Sequence, residues 1–124
     1  MITEDYVSFE TTKLLKEKGF DVSEIDAYFP FVYYANGKMD FYDDDYPLFV
    51  CEAVTLQMAM KWLREVHNKS IEIRSQGLKA TSIGWIVEIY NLVNQDEEFH
   101  HPYTFPTYEE AAEAAIKYCL ENLI

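Results

Sequence analysis

Apolar residues spaced three and four apart predict three helices. The first is expected to begin after Ser8 as its N-cap and to end at Gly19. The second, VTLQMAMKWLREVHNK, has the clearest periodicity: it should begin after Thr55, with Asn68 as a left-handed stop. The third is expected to begin at Thr107, which can form a capping box with the glutamate three residues later.

Alternating apolar and polar residues predict two β-hairpins. An Asn-Gly dipeptide at 36–37 favours a type I′ turn, which predicts strands at about 31–35 and 38–42. Farther along, SIEIRS at 70–75 and SIGWIVEIYNL at 82–92 alternate with a period of two and are expected to pair.

The order of these elements, α-β-β-α-β-β-α, predicts an α+β fold. We expect a single domain over 1–124, in which an antiparallel sheet of about four strands carries its helices mainly on one face. The chain of 124 residues has no internal repeat and no linker rich in Pro, Gly or Ser, in keeping with one domain.

Composition places the protein among globular chains without a membrane segment. It is 49% hydrophobic, yet no apolar run approaches the roughly 20 residues that span a bilayer. The acidic start MITEDYVSFETTK lacks the layout of a signal peptide, so a cytoplasmic location is expected. Cys51 and Cys119 lie in apolar contexts and are predicted to be buried, reduced thiols.

Charge narrows the class of partner. The net charge is −12: the segment 1–50 holds 11 acids and 4 bases, 51–84 holds 3 and 5, and 85–124 holds 8 and 1. A field of this sign repels phosphate backbones and anionic membranes. Nucleic acid and membranes are therefore not expected as general partners, although the central segment can carry a local basic patch.

The stretch FYDDDYPLF is the first candidate for chemistry. A calcium loop of the EF-hand type needs oxygen ligands at positions 1, 3, 5 and 12 and a glycine at position 6. Starting at Asp40, positions 3 and 12 are Tyr42 and Cys51; starting at Asp43, position 5 is Pro47. Both registers fail, and the aspartates are predicted to lie in a solvated acidic loop rather than to bind metal.

Catalytic motifs are missing as well. The chain has no GxSxG elbow and no glycine-rich phosphate loop, with four glycines in all. His100 and His101 are adjacent and should point apart, and a Cys51–His67 couple stays open without supporting spacing. We predict a non-enzymatic protein with no catalytic, cofactor-binding or metal residues; a small enzyme or metal protein without a recognisable motif is an alternative.

Tyrosine is the unusual excess. Five of the ten tyrosines fall between Tyr28 and Tyr46, and this side chain is enriched in protein interfaces. The main hypothesis is therefore an acidic module that docks a protein partner, with a basic partner favoured by charge. Its predicted surface consists of Tyr33, Tyr34, Tyr42, Asp43, Asp44, Asp45 and Tyr46. A homodimer through aromatic edge strands is left open.

A second hypothesis is a nucleic-acid-associated module that uses the central bases. Basic residues interleaved with aromatics such as Trp62 can bind single strands by charge and stacking. The competing interpretation places Trp62 in the core and the bases on a wet face. The candidate basic patch consists of Lys61, Arg64, Lys69, Arg74 and Lys79.

Several blocks occur in an order that carries a family resemblance. They are LLKEKGFD, the YY…NG hairpin, MKWLREVHN followed by SIEI, GWIVEIYN and TYEEAAEAAI. In this order they resemble a group of small uncharacterised proteins from phages and prophages of gut Bacteroidetes. The resemblance covers most of the chain and implies a phage-linked accessory protein within the cell. It implies no activity and no site residues.

Overall fold

The computed structural model describes residues 2–77 and 83–124. The chain divides into two compact units, Met1–Thr55 and Leu56–Ile124. The predicted α+β class is confirmed. The single sheet of about four strands is wrong, because the described residues form two antiparallel sheets of three strands each. That the chain forms one domain stays a prediction.

The first unit begins with helix α1, Phe9–Glu17. As predicted, Ser8 is its N-cap, and the Ser8 side chain accepts a hydrogen bond from the Thr11 N–H at 3.3 Å. Gly19 follows the helix with φ of 102°, a left-handed conformation that glycine adopts without strain. A short 3₁₀ turn, Val22–Glu24, leads into the sheet.

The sheet of the first unit has the strand order β2-β1-β3. Its strands are β1, Phe31–Tyr33, β2, Met39–Phe41, and β3, Cys51–Glu52. The β1–β2 hairpin is confirmed, whereas β3 was not predicted. Two residues are too short for any alternation to be read from the sequence.

The turn of this hairpin differs from the prediction. Only Gly37 is left-handed, with φ of 81°, whereas a type I′ turn would also need a positive φ at Asn36. The Gly37 N–H donates to the Tyr34 carbonyl, and the Tyr34 N–H donates to the Lys38 carbonyl. The loop therefore has three residues and ends on a left-handed glycine, which is the next commonest hairpin connection.

Tyr33 corrects the predicted docking surface. Its side chain is only 7% exposed, and its hydroxyl donates to the Val7 carbonyl at 2.6 Å. Its ring packs on that of Phe9, with 5.3 Å between the centroids. Tyr33 is thus a core residue of the first unit, where it clusters with Cys51 and Ala53.

The second unit places two helices on a sheet of order β4-β5-β6. The predicted stop of α2 is confirmed, because Asn68 follows the helix with φ of 57°. The predicted cap of α3 is confirmed too, as the Thr107 hydroxyl accepts from the Glu110 N–H. The elements are α2, Leu56–His67; β4, Lys69–Gly77; β5, Ile83–Asn91; β6, Glu97–His100; and α3, Tyr108–Tyr118, which continues as a π-helical turn over Cys119–Leu123.

Strands β4 and β5 pair as predicted, and a third strand, β6, which was not predicted, pairs with β5. Val87 and Ile89 on β5 are fully buried on the face that meets the helices. Ala112 and Ala115 bring α3 close to that face. Among the described residues, no helix is both long and apolar enough to cross a membrane.

Candidate functional site

An open cleft of about 820 Å³ lies at the β1–β2 hairpin. It is lined by Tyr34, Asn36 and every residue from 40 to 46. We call this feature the acidic cleft. Six of the seven predicted surface residues line it, and the seventh, Tyr33, does not.

The acidic loop is an ordered turn, and the hydroxyl of Tyr34 helps to hold it. That hydroxyl donates to the Phe41 carbonyl at 3.2 Å and accepts from the Asp43 N–H at 3.1 Å. The Asp43 carboxylate accepts from the Asp45 N–H, and the Asp43 carbonyl accepts from the Tyr46 N–H, both at 2.9 Å. The aspartates therefore occupy defined positions around the cleft.

Three aromatic rings beside these aspartates are exposed, and two of them, those of Phe41 and Tyr42, rest on neighbouring rings. Phe41 is 62% exposed and Tyr46 is 71% exposed. The Phe41 ring rests on Phe31 at a centroid distance of 4.5 Å, and the Tyr42 ring meets Phe49 edge-on at 5.8 Å. Anchored rings lose little conformational entropy when a partner covers them.

The charge around the cleft is strongly negative. Between residues 31 and 49 there are four aspartates and one lysine. All four aspartates are exposed, so their charges face solvent. Such a surface attracts cationic groups and repels anionic ones.

At one edge position of β2, side chains of the same hairpin already occupy the backbone N–H and carbonyl groups. The Phe41 N–H donates to the Asp40 carboxylate at 2.8 Å, and the Phe41 carbonyl accepts from Tyr34. In the register of β1 and β2 these two backbone groups point away from β1. Another strand cannot pair at this residue without displacing both bonds, whereas homodimerisation elsewhere stays a prediction.

Two members of the predicted basic patch form ion pairs with glutamates and are not available to a nucleic acid. Lys69 is buried and forms an ion pair with Glu98, and Arg74 binds Glu88 at 2.6 Å. Lys61 and Arg64 are exposed on α2, and Lys79 lies outside the described residues. Two of the five positive charges are therefore neutralised within the fold.

Trp62 does not provide a stacking platform for bases. It is 9% exposed and packs in the core of the second unit. Its ring meets that of His67 edge-on, with 4.7 Å between the centroids. The core interpretation of Trp62 is confirmed.

A polar network covers the outer face of the second sheet. Arg74 donates twice to Oε1 of Glu88, at 2.6 and 3.0 Å, and the Tyr90 hydroxyl donates to Oε2 at 2.5 Å. The bond from Tyr90, followed by that from Arg74, lowers the pKa of Glu88. The same bond raises the pKa of Tyr90 to about 12.

Glu97 and His100 lie beside Glu88, and sequence reasoning missed this grouping. One metal-ligating atom from each residue lies within 4.8 Å of those of the other two. Adjacent histidines gave no signal for it, because the relevant partners of His100 are carboxylates on two strands. His101 is different: its ring packs against Phe105, and its Nδ1 accepts from the Tyr103 N–H.

Neither cysteine has the surroundings of a nucleophile. Burial raises the pKa of Cys51 and raises that of Cys119 to about 12. A thiol reacts as its thiolate, so these shifts oppose reactivity. Burial of both thiols agrees with the sequence prediction.

His67 should titrate below the ordinary histidine value of 6.5, because burial first and Lys69 second lower its pKa. The unfolded chain then takes up the proton first as the pH falls. The stability contributed by neutral His67 is full above pH 6.5 and is lost as the pH falls toward the folded-state pKa. An NMR titration should give a His67 midpoint below 6.5, and His67→Gln should flatten the decline in stability between about pH 7 and 5. A midpoint at or above 6.5 would contradict this.

Comparison with known proteins adds no family to this geometry. No protein-family model, curated protein or solved structure matches the chain. The resemblance to the phage group stays a prediction, and function must be inferred from the residues of the sites themselves.

Proposed function

We propose that the protein is a non-enzymatic interaction module whose acidic cleft binds a segment of a partner protein rich in arginine and lysine. One observation carries the proposal: an ordered turn groups four exposed aspartates with exposed, anchored aromatic rings around a single opening. Neither feature alone defines a partner. Together they match the positive charge and the planar shape of the guanidinium group of arginine.

The cleft offers arginine two kinds of contact. Carboxylates such as those of Asp43 and Asp45 accept paired hydrogen bonds from a guanidinium group. The faces of Phe41 and Tyr46 can receive the same planar cation by stacking. Lysine fits less well, because its ammonium group is a point charge without a flat face.

The charge of the whole chain supports the same class of partner. At −12 it steers cations toward the protein over distances of about a Debye length and disfavours anionic competitors. A phage accessory protein of this kind would bind a basic host protein, with its carboxylates taking the place of nucleic-acid phosphates. The sequence blocks that resemble the phage group support this context.

Removing the charge of three aspartates while keeping their shape should weaken binding at least about tenfold. In the variant Asp43→Asn/Asp44→Asn/Asp45→Asn the side-chain oxygen at position 43 can still accept the bond that orders the turn. Affinity would be measured by calorimetry with a defined arginine-rich peptide at two salt concentrations. The wild-type affinity should fall as salt rises.

A charge-matched control separates the cleft from the general field. Glu4→Gln/Asp5→Asn/Glu17→Gln also removes three exposed negative charges from the first unit but leaves the cleft intact. This control should change the affinity less than about twofold. Equal losses of affinity in the two triple variants would contradict the proposal, because binding would then depend on net charge alone.

The contribution of the aromatic side chains to binding is tested separately. Phe41→Ala and Tyr46→Ala should each lower the affinity for the arginine-rich peptide by about two- to fivefold. The affinity for a matched lysine peptide should fall by less. A cleft that held its partner by charge alone would give no difference between the two peptides. Tighter binding of a single-stranded oligonucleotide than of the peptide would instead favour the nucleic-acid hypothesis.

A further inference from the structure

A β-bulge changes which side chains of β6 share a face. Glu88 pairs with His100 and Tyr90 pairs with Glu97, with a register shift between Ile89 and Tyr90. In a regular strand, residues three apart point to opposite faces. The extra residue in β6 removes that alternation, so Glu97 and His100 both face the side of Glu88. Bulges often re-aim side chains in this way next to functional sites.

We propose that Glu88, Glu97 and His100 form a binding site for a transition-metal dication such as Zn²⁺ on the polar face of the second unit's sheet. A ligand atom from each of the three lies within 4.8 Å of those of the others. Nδ1 of His100 is already 3.5 Å from Oε1 of Glu97. Tetrahedral zinc with bonds of about 2.0–2.1 Å holds its ligand atoms about 3.4 Å apart.

Glu88 is held in place as metal ligands usually are. Arg74 binds its Oε1 and Tyr90 binds its Oε2, so its orientation is determined before any ion arrives. Each carboxylate oxygen has two lone pairs, which leaves Oε2 able to accept an ion beside the Tyr90 hydroxyl.

The local charge fits a dication. Glu72 lies directly across from Glu88 and shares its face, while Arg74 is bonded to Glu88. Three carboxylates therefore meet one guanidinium on this face, an excess of two negative charges. An imidazole among the ligands favours zinc and its transition-metal neighbours over Mg²⁺ and Ca²⁺, which prefer oxygen alone.

The test uses tag-free protein that has been stripped with chelator and then desalted. Calorimetry with ZnCl₂ should show one site, and His100→Ala and Glu97→Gln should each weaken it at least about tenfold. The matched control is His101→Ala, which removes the adjacent imidazole but no proposed ligand, and should change the affinity less than twofold. In titrations with MgCl₂ and CaCl₂, the Mg²⁺ and Ca²⁺ ions should bind far more weakly than Zn²⁺.

X-ray absorption at the zinc edge supplies a second readout. Nitrogen and oxygen neighbours at about 2.0–2.1 Å, without sulfur at about 2.3 Å, would exclude Cys51 and Cys119 as ligands. An adventitious ion only is indicated if His100→Ala and Glu97→Gln bind zinc as the unchanged protein does, and this result overturns the proposal. Absence of binding at 100 µM zinc, a sulfur-containing shell or equal affinity for Ca²⁺ overturns it as well.

Discussion

Replacing Ile89 with alanine should lower the free energy of unfolding by about 3–4 kcal/mol. Ile89 is 0% exposed and lies in β5, paired with Ile71 on one side and Phe99 on the other. The shortened side chain loses its transfer free energy and leaves a cavity that a three-stranded sheet covered by helices can close only in part. Urea denaturation followed by circular dichroism measures the change.

Ile2→Ala is the matched control for this substitution. Ile2 is 100% exposed, so the same chemical change should alter stability by less than about 0.5 kcal/mol. A loss below about 1 kcal/mol for Ile89→Ala would mean that the second unit repacks around the cavity. That result would contradict a rigid, close-packed interior at β5.

Tyr33→Ala should cost about 3–5 kcal/mol, whereas truncation of Tyr46 in the same manner should cost less than about 0.5 kcal/mol. Tyr33 fills the core of the first unit, and its hydroxyl donates to the buried Val7 carbonyl. Tyr46 is 71% exposed and its ring can leave without opening a cavity. Denaturation of the two variants under identical conditions gives the comparison.

Tyr33→Phe divides the cost of Tyr33 into its two parts. It keeps the ring and removes only the hydroxyl, and should cost about 1 kcal/mol because Val7 keeps a weaker bond from Thr12. If Tyr33→Ala were no worse than Tyr33→Phe, the ring would contribute nothing and Tyr33 would belong on the surface after all. Binding of the arginine peptide by Tyr33→Phe should stay within about twofold of wild type, because Tyr33 does not line the cleft.

The helices were predictable because their signals are local. Ser8 and Thr107 cap helices through bonds to residues three positions away, and Gly19 and Asn68 end them by left-handed backbone. None of these bonds depends on the rest of the chain. The three-residue turn was missed because an Asn-Gly pair is compatible with more than one loop length.

The missed strands depend on distant partners. β3 has two residues, and its pairing with β1 is the evidence that it exists. β6 begins in a run of acids that has no β propensity, and it is defined by hydrogen bonds to β5. A sequence window contains neither partner, so neither strand produces a pattern.

The candidate sites show the same division between local and distant information. The sequence does not distinguish Tyr33 from the adjacent Tyr34, because the contacts that bury Tyr33 come from Phe9 and Val7, more than 20 positions away. Lys69 and Arg74 look available in the sequence because their partners, Glu98 and Glu88, lie 29 and 14 positions away. Asp43, Asp44 and Asp45 line one cleft together because they are contiguous in the sequence, and their role in docking stays a prediction.

Asp40 and glutamate are equal in charge but would not be interchangeable at this position. The short side chain of Asp40 reaches the N–H of the next residue, and so blocks that backbone group of Phe41. A glutamate carboxylate lies one methylene farther away, and would preserve the attraction for cations while leaving this N–H open to another chain. Replacement of Asp40 by glutamate would therefore keep the negative charge of the surface but remove this protection against self-association.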